Sequence, residues 1–109
     1  MLHTTLTQDK WDKYSNMQQI LSIGAEFGRA KNAIKINDDK ETSNSYLRAL
    51  ELLELTSGDI KWQKKLKELL YLKEYLAWVW MFARADIDIC QKMYRTLLDI
   101  SPETYLFKT

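Results

Sequence analysis

Proline is almost missing from this 109-residue chain, occurring only as Pro102, and glycine occurs three times. An all-β domain needs turn residues about every ten positions, so this scarcity excludes that class and points to helices. Cysteine is as rare: Cys90 stands alone, which excludes an internal disulfide and any zinc site built from several cysteines. His3 is the only histidine, so hydrolysis by a histidine base, a Cys–His nucleophile pair and a His-ligated metal would all have to share it. No arginine has a histidine downstream, which removes the Arg-then-His arrangement of small helical-bundle ribonucleases. A glycine-rich phosphate loop is also missing, because Gly24 and Gly28 fall inside a helical pattern. Neither sign of charge dominates: 16 basic and 15 acidic residues leave a net +1, with no global pull on nucleic acid or an anionic membrane. The most apolar run, "YLAWVWMFA", is about half of what a bilayer span requires, and "MLHTTLTQDK" has no signal-peptide pattern. The expectation is a cytoplasmic protein with no membrane contact, no cofactor, no metal and no catalytic residue.

What is present is core-forming material. Hydrophobic residues make up 46% of the chain and aromatics 12%, enough for one domain without staples. Apolar spacing predicts four helices, over about residues 8–35, 39–56, 60–83 and 88–100. Thr7 is placed to cap the first and Asp59 the third. Asp38 with Glu41, and Asp88 with Gln91, have capping-box spacing, and Asp86 is also an N-cap candidate for the fourth. Gly58 suits a left-handed position at the end of the second. The buried stripe of the second helix is Tyr46, Ala49, Leu50 and Leu53, and that of the fourth is Cys90, Met93, Tyr94, Leu97 and Leu98. Short connections between amphipathic helices predict an antiparallel four-helix bundle in a single domain, 1–109.

On the first helix, Met17, Ile20, Leu21, Gly24 and Gly28 share an arc, with Ser15, Ser22, Glu26 and Arg29 opposite. Each helical glycine weakens the helix by about 1 kcal/mol relative to alanine. The Gly24–Gly28 spacing is therefore read as a site of close helix packing, with Leu66, Leu69, Leu70 or Trp80 of the third helix pressed against it. Glu26 and Arg29 read as an exposed ion pair, or as a polar seat for a partner. The third helix carries one stripe through Trp62, Leu69, Leu76 and Trp80, and a second through Tyr71, Tyr75, Trp78 and Phe82. A helix apolar on two faces is central in its fold or covered by another molecule. Lys73 intrudes on the apolar pattern and is expected to snorkel or to pair with a neighbouring carboxylate. Lys61, Lys64, Lys65 and Lys67 form the one basic cluster.

The segments "IGAEFGRAKNA", "YLRALELLELT" and "KKLKELLYLKEYL" resemble a pattern in small bacterial helical proteins of uncharacterised function. It spans roughly residues 17–76 here. The resemblance implies a helical bundle and brings no activity, cofactor or site residue with it. Three functional readings follow. The leading one is a non-catalytic protein–protein interaction, as a homodimer through Tyr71, Tyr75, Trp78 and Phe82, since aromatics dominate binding hot spots. The alternative is an accessory nucleic-acid-binding protein using Lys61, Lys64, Lys65 and Lys67. A third is a small-molecule binder with a pocket between the glycine face and the aromatics.

Overall fold

The structure, a computed structural model, describes residues 6–101; the readings that concern His3 and Pro102 lie outside the described residues. Within them are five α-helices, one 3-10 segment and no strand. The helices are α1 (Gln8–Asp12), α2 (Asn16–Lys35), α3 (Asp39–Ser57), α4 (Leu66–Phe82) and α5 (Ile87–Ile100), with the 3-10 segment at Ile60–Lys65. The all-α class holds. The expected count of four does not, because two of the anticipated long helices are divided.

The first division falls at residues 13–15. The Ser15 hydroxyl accepts from the Gln18 amide at 3.1 Å, and the Gln18 side chain accepts from the Ser15 amide at 2.9 Å. This reciprocal capping box satisfies the free donors of a new helix start. It ends α1, which is held separately by the buried Trp11, whose Nε1 donates to Thr56 Oγ1 at 3.0 Å. The second division is at 60–65. Here Asp59 accepts from the Lys61 amide, and the buried Trp62 donates through Nε1 to Gln19 Oε1 at 2.6 Å. Gln19, itself fully buried, also donates to the Trp11 carbonyl at 2.8 Å and to Asp59 Oδ2 at 2.9 Å. One amide thus fastens α1, α2 and the 3-10 segment together, and these tertiary bonds override the helical continuation that propensity favours.

Helix ends refine the sequence reading in three further places. Gly58 has a right-handed φ of −85°, so the left-handed role assigned to it is not taken up there. Asn37 takes it instead, with φ 59° at the end of α2. Its amide donates to the Ile34 carbonyl at 3.1 Å and the Asp38 amide to Ala33 at 2.9 Å, which together make a Schellman closure. The cap of α5 is Asp86, which accepts from the Ile89 amide at 3.1 Å, and Asp88 sits in the first turn.

The long helices pack in a cycle: α2 touches α3 and α5, and α4 touches the same two. The core between them includes Phe27, Tyr46, Leu53, Leu69, Leu76, Met93 and Leu97. Burying an aliphatic side chain of this size stabilises by about 1.5–3 kcal/mol, so the cycle rests on these contacts. The inward face of α2 is Ile20, Ile23, Phe27, Ala30 and Ala33, with Gln19 and Glu26 beside them, while Leu21 and Gly28 are exposed. That is a turn of about 100° from the expected arc. Ile23, Phe27, Ala30 and Ala33 form an apolar row on that side, and Glu26 beside it, which reads as a solvent residue, is buried where Arg48 of α3 donates to it at 3.0 Å and Arg29 at 2.8 Å. The expected Glu26–Arg29 pair forms with Arg29 exposed, but its Glu26 end is buried, and the same carboxylate ties α2 to α3 through Arg48.

The glycine pair divides accordingly. A Cβ on Gly24 would lie 2.9 Å from Tyr94 Cε1 and 3.8 Å from Leu97 Cδ2, so the close approach is real but involves α5 rather than Leu66, Leu69, Leu70 or Trp80. A Cβ on Gly28 would meet nothing within 4 Å. Close packing at Gly28 is thus overturned: the rotation of α2 takes it past the edge of the helix contact.

Candidate functional site

The core-facing row of α4 is Leu69, Leu72, Leu76 and Val79, spaced three, four and three. Trp80 fastens the far end of the helix to α3 through Nε1 to Ser43 Oγ at 2.9 Å. Arg84 stacks over the Trp80 ring and binds Asp39 with two nitrogens. With that row pinned inward, Tyr71, Tyr75, Trp78 and Phe82 are carried about 110° round the helix. Their relative exposures decide the matter: Tyr71 is 70% accessible, Trp78 49% and Phe82 68%. Tyr75 is half-buried, packed on the core and stacked against Trp78 with 8° between the ring planes; Trp78 in turn tilts against Phe82, centroids 5.8 Å apart. Leu70 and Met81 add exposed apolar surface to the neighbouring side of α4. The structure brings the four aromatics into a band on one face of α4, with Tyr75, Trp78 and Phe82 in ring contact and Tyr71, Trp78 and Phe82 exposed.

At the start of α4 the band runs into a cleft of about 520 Å³, walled by Lys67, Glu68 and Tyr71 on one side and by Thr96, Asp99 and Ile100 of α5 on the other. Of the four neighbouring pairs in the cycle, α4 and α5 make the sparsest contact. Cleft and aromatic band therefore lie along the least closed seam of the cycle.

The basic cluster is less uniform than its sequence suggests. Lys61 leaves it: its ammonium binds the buried Asp59 carboxylate and donates to the Asp12 carbonyl at 3.0 Å. Burial alone would raise the Asp59 pKa, but the bonds from Gln19 and Lys61 outweigh it and hold the carboxyl below the ordinary aspartate value. Lys64, Lys65 and Lys67 have no ion-pair partner among the described residues, yet Glu68 and Asp99 line the same cleft as Lys65 and Lys67. Lys73 pairs with Glu54 of α3, one of the two outcomes expected for it.

The remaining reactive side chains are inward. Cys90 is buried and donates to the Phe27 carbonyl at 3.5 Å, and burial pushes its thiol pKa up, away from thiolate chemistry. The Tyr46 hydroxyl lies beside it without a hydrogen bond of normal geometry, and burial pushes the phenol up as well. Arg48, bonded to Glu26, also binds Glu41 at 2.7 Å; that bond is the main reason the Glu41 carboxyl sits below the ordinary glutamate value. Among the described residues, no three His, Cys, Asp or Glu side chains come together as metal ligands, and no helix is long and apolar enough to cross a membrane. No family model matches the chain, and comparison with curated proteins and with solved structures likewise finds no match. What fold and geometry define is a small all-α protein with one prominent aromatic surface. Sequence reasoning missed the α5 wall of the cleft. Its signal was the grouping of Thr96 and Ile100 with Asp99, which the spacing already places on the outward face of that helix.

Proposed function

We propose that this is a non-catalytic interaction protein that pairs with a second copy of itself through the aromatic band of α4. The observation that carries the reading is the exposure of Tyr71, Trp78 and Phe82 along one face of a helix whose Leu69, Leu72, Leu76 and Val79 row is already committed to the core. Isolated exposed apolar residues such as Ile36 and Ile60 need no explanation. A contiguous aromatic face does, because it is the kind of surface that interfaces cover. The contacts of Trp78 with Tyr75 and Phe82 also restrain these rings before association, which lowers its ordering cost. A self-complementary contact across a two-fold axis would set one α4 against the other, the commonest symmetry of soluble homo-oligomers. The finer architecture belongs to the same reading: an antiparallel four-helix bundle of α2, α3, α4 and α5, with α1 and the 3-10 segment added at one end. A cytoplasmic setting fits the single buried thiol. The test is sedimentation velocity of the parent and of Trp78→Glu, a residue outside the fully buried core. The reading expects a concentration-dependent dimer in the parent and a folded monomer in the variant.

Nucleic-acid binding through Lys64, Lys65 and Lys67 is the second reading, favoured by their lack of ion pairs among the described residues. The diversion of Lys61 to Asp59 counts against it. Retention on mixed nucleic acid at low salt, lost in the Lys64→Glu, Lys67→Glu variant, would support it over the first.

A further inference from the structure

A second cleft, of about 290 Å³, lies between α2 and α5, away from the aromatic band. It is lined by Gly24, Phe27, Gly28 and Lys31 of α2 and by Cys90, Gln91 and Tyr94 of α5; Gly24, Phe27 and Cys90 are buried and Gly28 is exposed. The two glycines differ in what lies over them. The Tyr94 ring sits on Gly24 so closely that a methyl group there would be 2.9 Å from Cε1. One helical turn along α2, Gly28 presents the same bare backbone, and beyond the adjoining chain of its own helix nothing stands within 4 Å of where its Cβ would be. The groove thus holds one aromatic ring supplied by the chain itself, next to vacant space of similar make.

The charge around that space has one sign. Lys31 forms no ion pair among the described residues, and no Asp or Glu lines the cleft. Gln91 offers an amide that can donate to an oxygen. We infer that this cleft is a binding site for a small aromatic monocarboxylate, its ring lying on the Gly28 backbone beside Tyr94 and its carboxylate meeting Lys31 and Gln91. The volume sits at the lower end of ligand pockets, which suits a single ring and excludes a nucleotide. A charge-assisted contact to Lys31 accounts for a preference for the acid over its neutral counterpart.

Amide NMR titration of the full chain tests this with benzoate and, as the neutral probe, benzyl alcohol. Expected are saturable shifts at Gly24, Gly28 and Lys31 with benzoate, and binding about tenfold weaker with the alcohol. Lys31→Gln should abolish that preference while leaving weak binding of both probes. Gly28→Leu fills an open position, so it should retain the parent's fold, visible in the same spectra, and lose both probes. No saturable shift at millimolar benzoate, shifts confined to Tyr71–Phe82, or unchanged binding in Gly28→Leu would each overturn the assignment. Because the cleft is separate from the α4 band, the parent's oligomeric state does not bear on the result.

Discussion

At the scale of single residues, the two glycines of α2 give a pair of substitutions with opposite signs. Alanine in an exposed helix interior gains up to about 1 kcal/mol over glycine, and Gly28→Ala should realise that gain because nothing opposes the new methyl group. Gly24→Ala has the same propensity gain, but Tyr94 must move off the backbone. Overpacking of about 1–3 kcal/mol should leave the variant net destabilised by about 1 kcal/mol. Thermal melts of the two variants check this directly, and equal shifts would refute it. The spacing of the pair was visible in the sequence, whereas the difference between its members was not. It depends on how far α2 is rotated, which goes with the burial of Ile23, Phe27, Ala30 and Ala33 and with the bond from Glu26 to Arg48, a partner 22 residues away. Asp59 makes a second residue-scale case. Its folded pKa lies below its unfolded value, so the stability it adds is fully present above about pH 4 and is lost as acid takes the pH down through the folded value. Asp59→Asn should therefore flatten the acid-unfolding curve below pH 4. Glu41, shifted the same way, keeps some of the slope.

The elements were legible where local signals and tertiary contacts agree. α3 and α5 start and stop close to where apolar spacing and side-chain caps put them, because both obey a single stripe from end to end. α1 and the 3-10 segment were hidden inside longer helical patterns. In each, an indole nitrogen needed a buried acceptor, and the chain broke its helix to provide one: Thr56 for Trp11 and Gln19 for Trp62. A sequence shows the indoles but not which distant hydroxyl or amide will receive them. The Ser15–Gln18 spacing was a readable start signal, overshadowed by helical periodicity on both sides of it. The α2–α3 turn shows the same limit at a helix end. Asn37, not a glycine, occupies the left-handed position, at a steric cost that glycine would avoid. Asn37→Gly should raise the urea midpoint, by up to about 1 kcal/mol of stability, and Asn37→Val should lower it by at least as much.

For the molecule as a whole, the cycle of helices is tight where α2 meets α3 and slack where α4 meets α5. Function is read from the slack side. The candidate interface was legible in outline, since the four-three-four spacing of Tyr71, Tyr75, Trp78 and Phe82 stands apart from the core row in any helical projection. Which stripe turns inward could not be read from spacing alone, because both are apolar. Trp80 and Arg84 decide it by fastening α4 to Ser43 and Asp39. Sedimentation velocity across the micromolar range, at low and at high salt, tests this account most directly. An apolar aromatic contact predicts a dimer of twice the chain mass that persists at high salt and reverts to single chains in the Trp78→Glu, Phe82→Glu double variant. A parent that sediments as one chain at every concentration would contradict it.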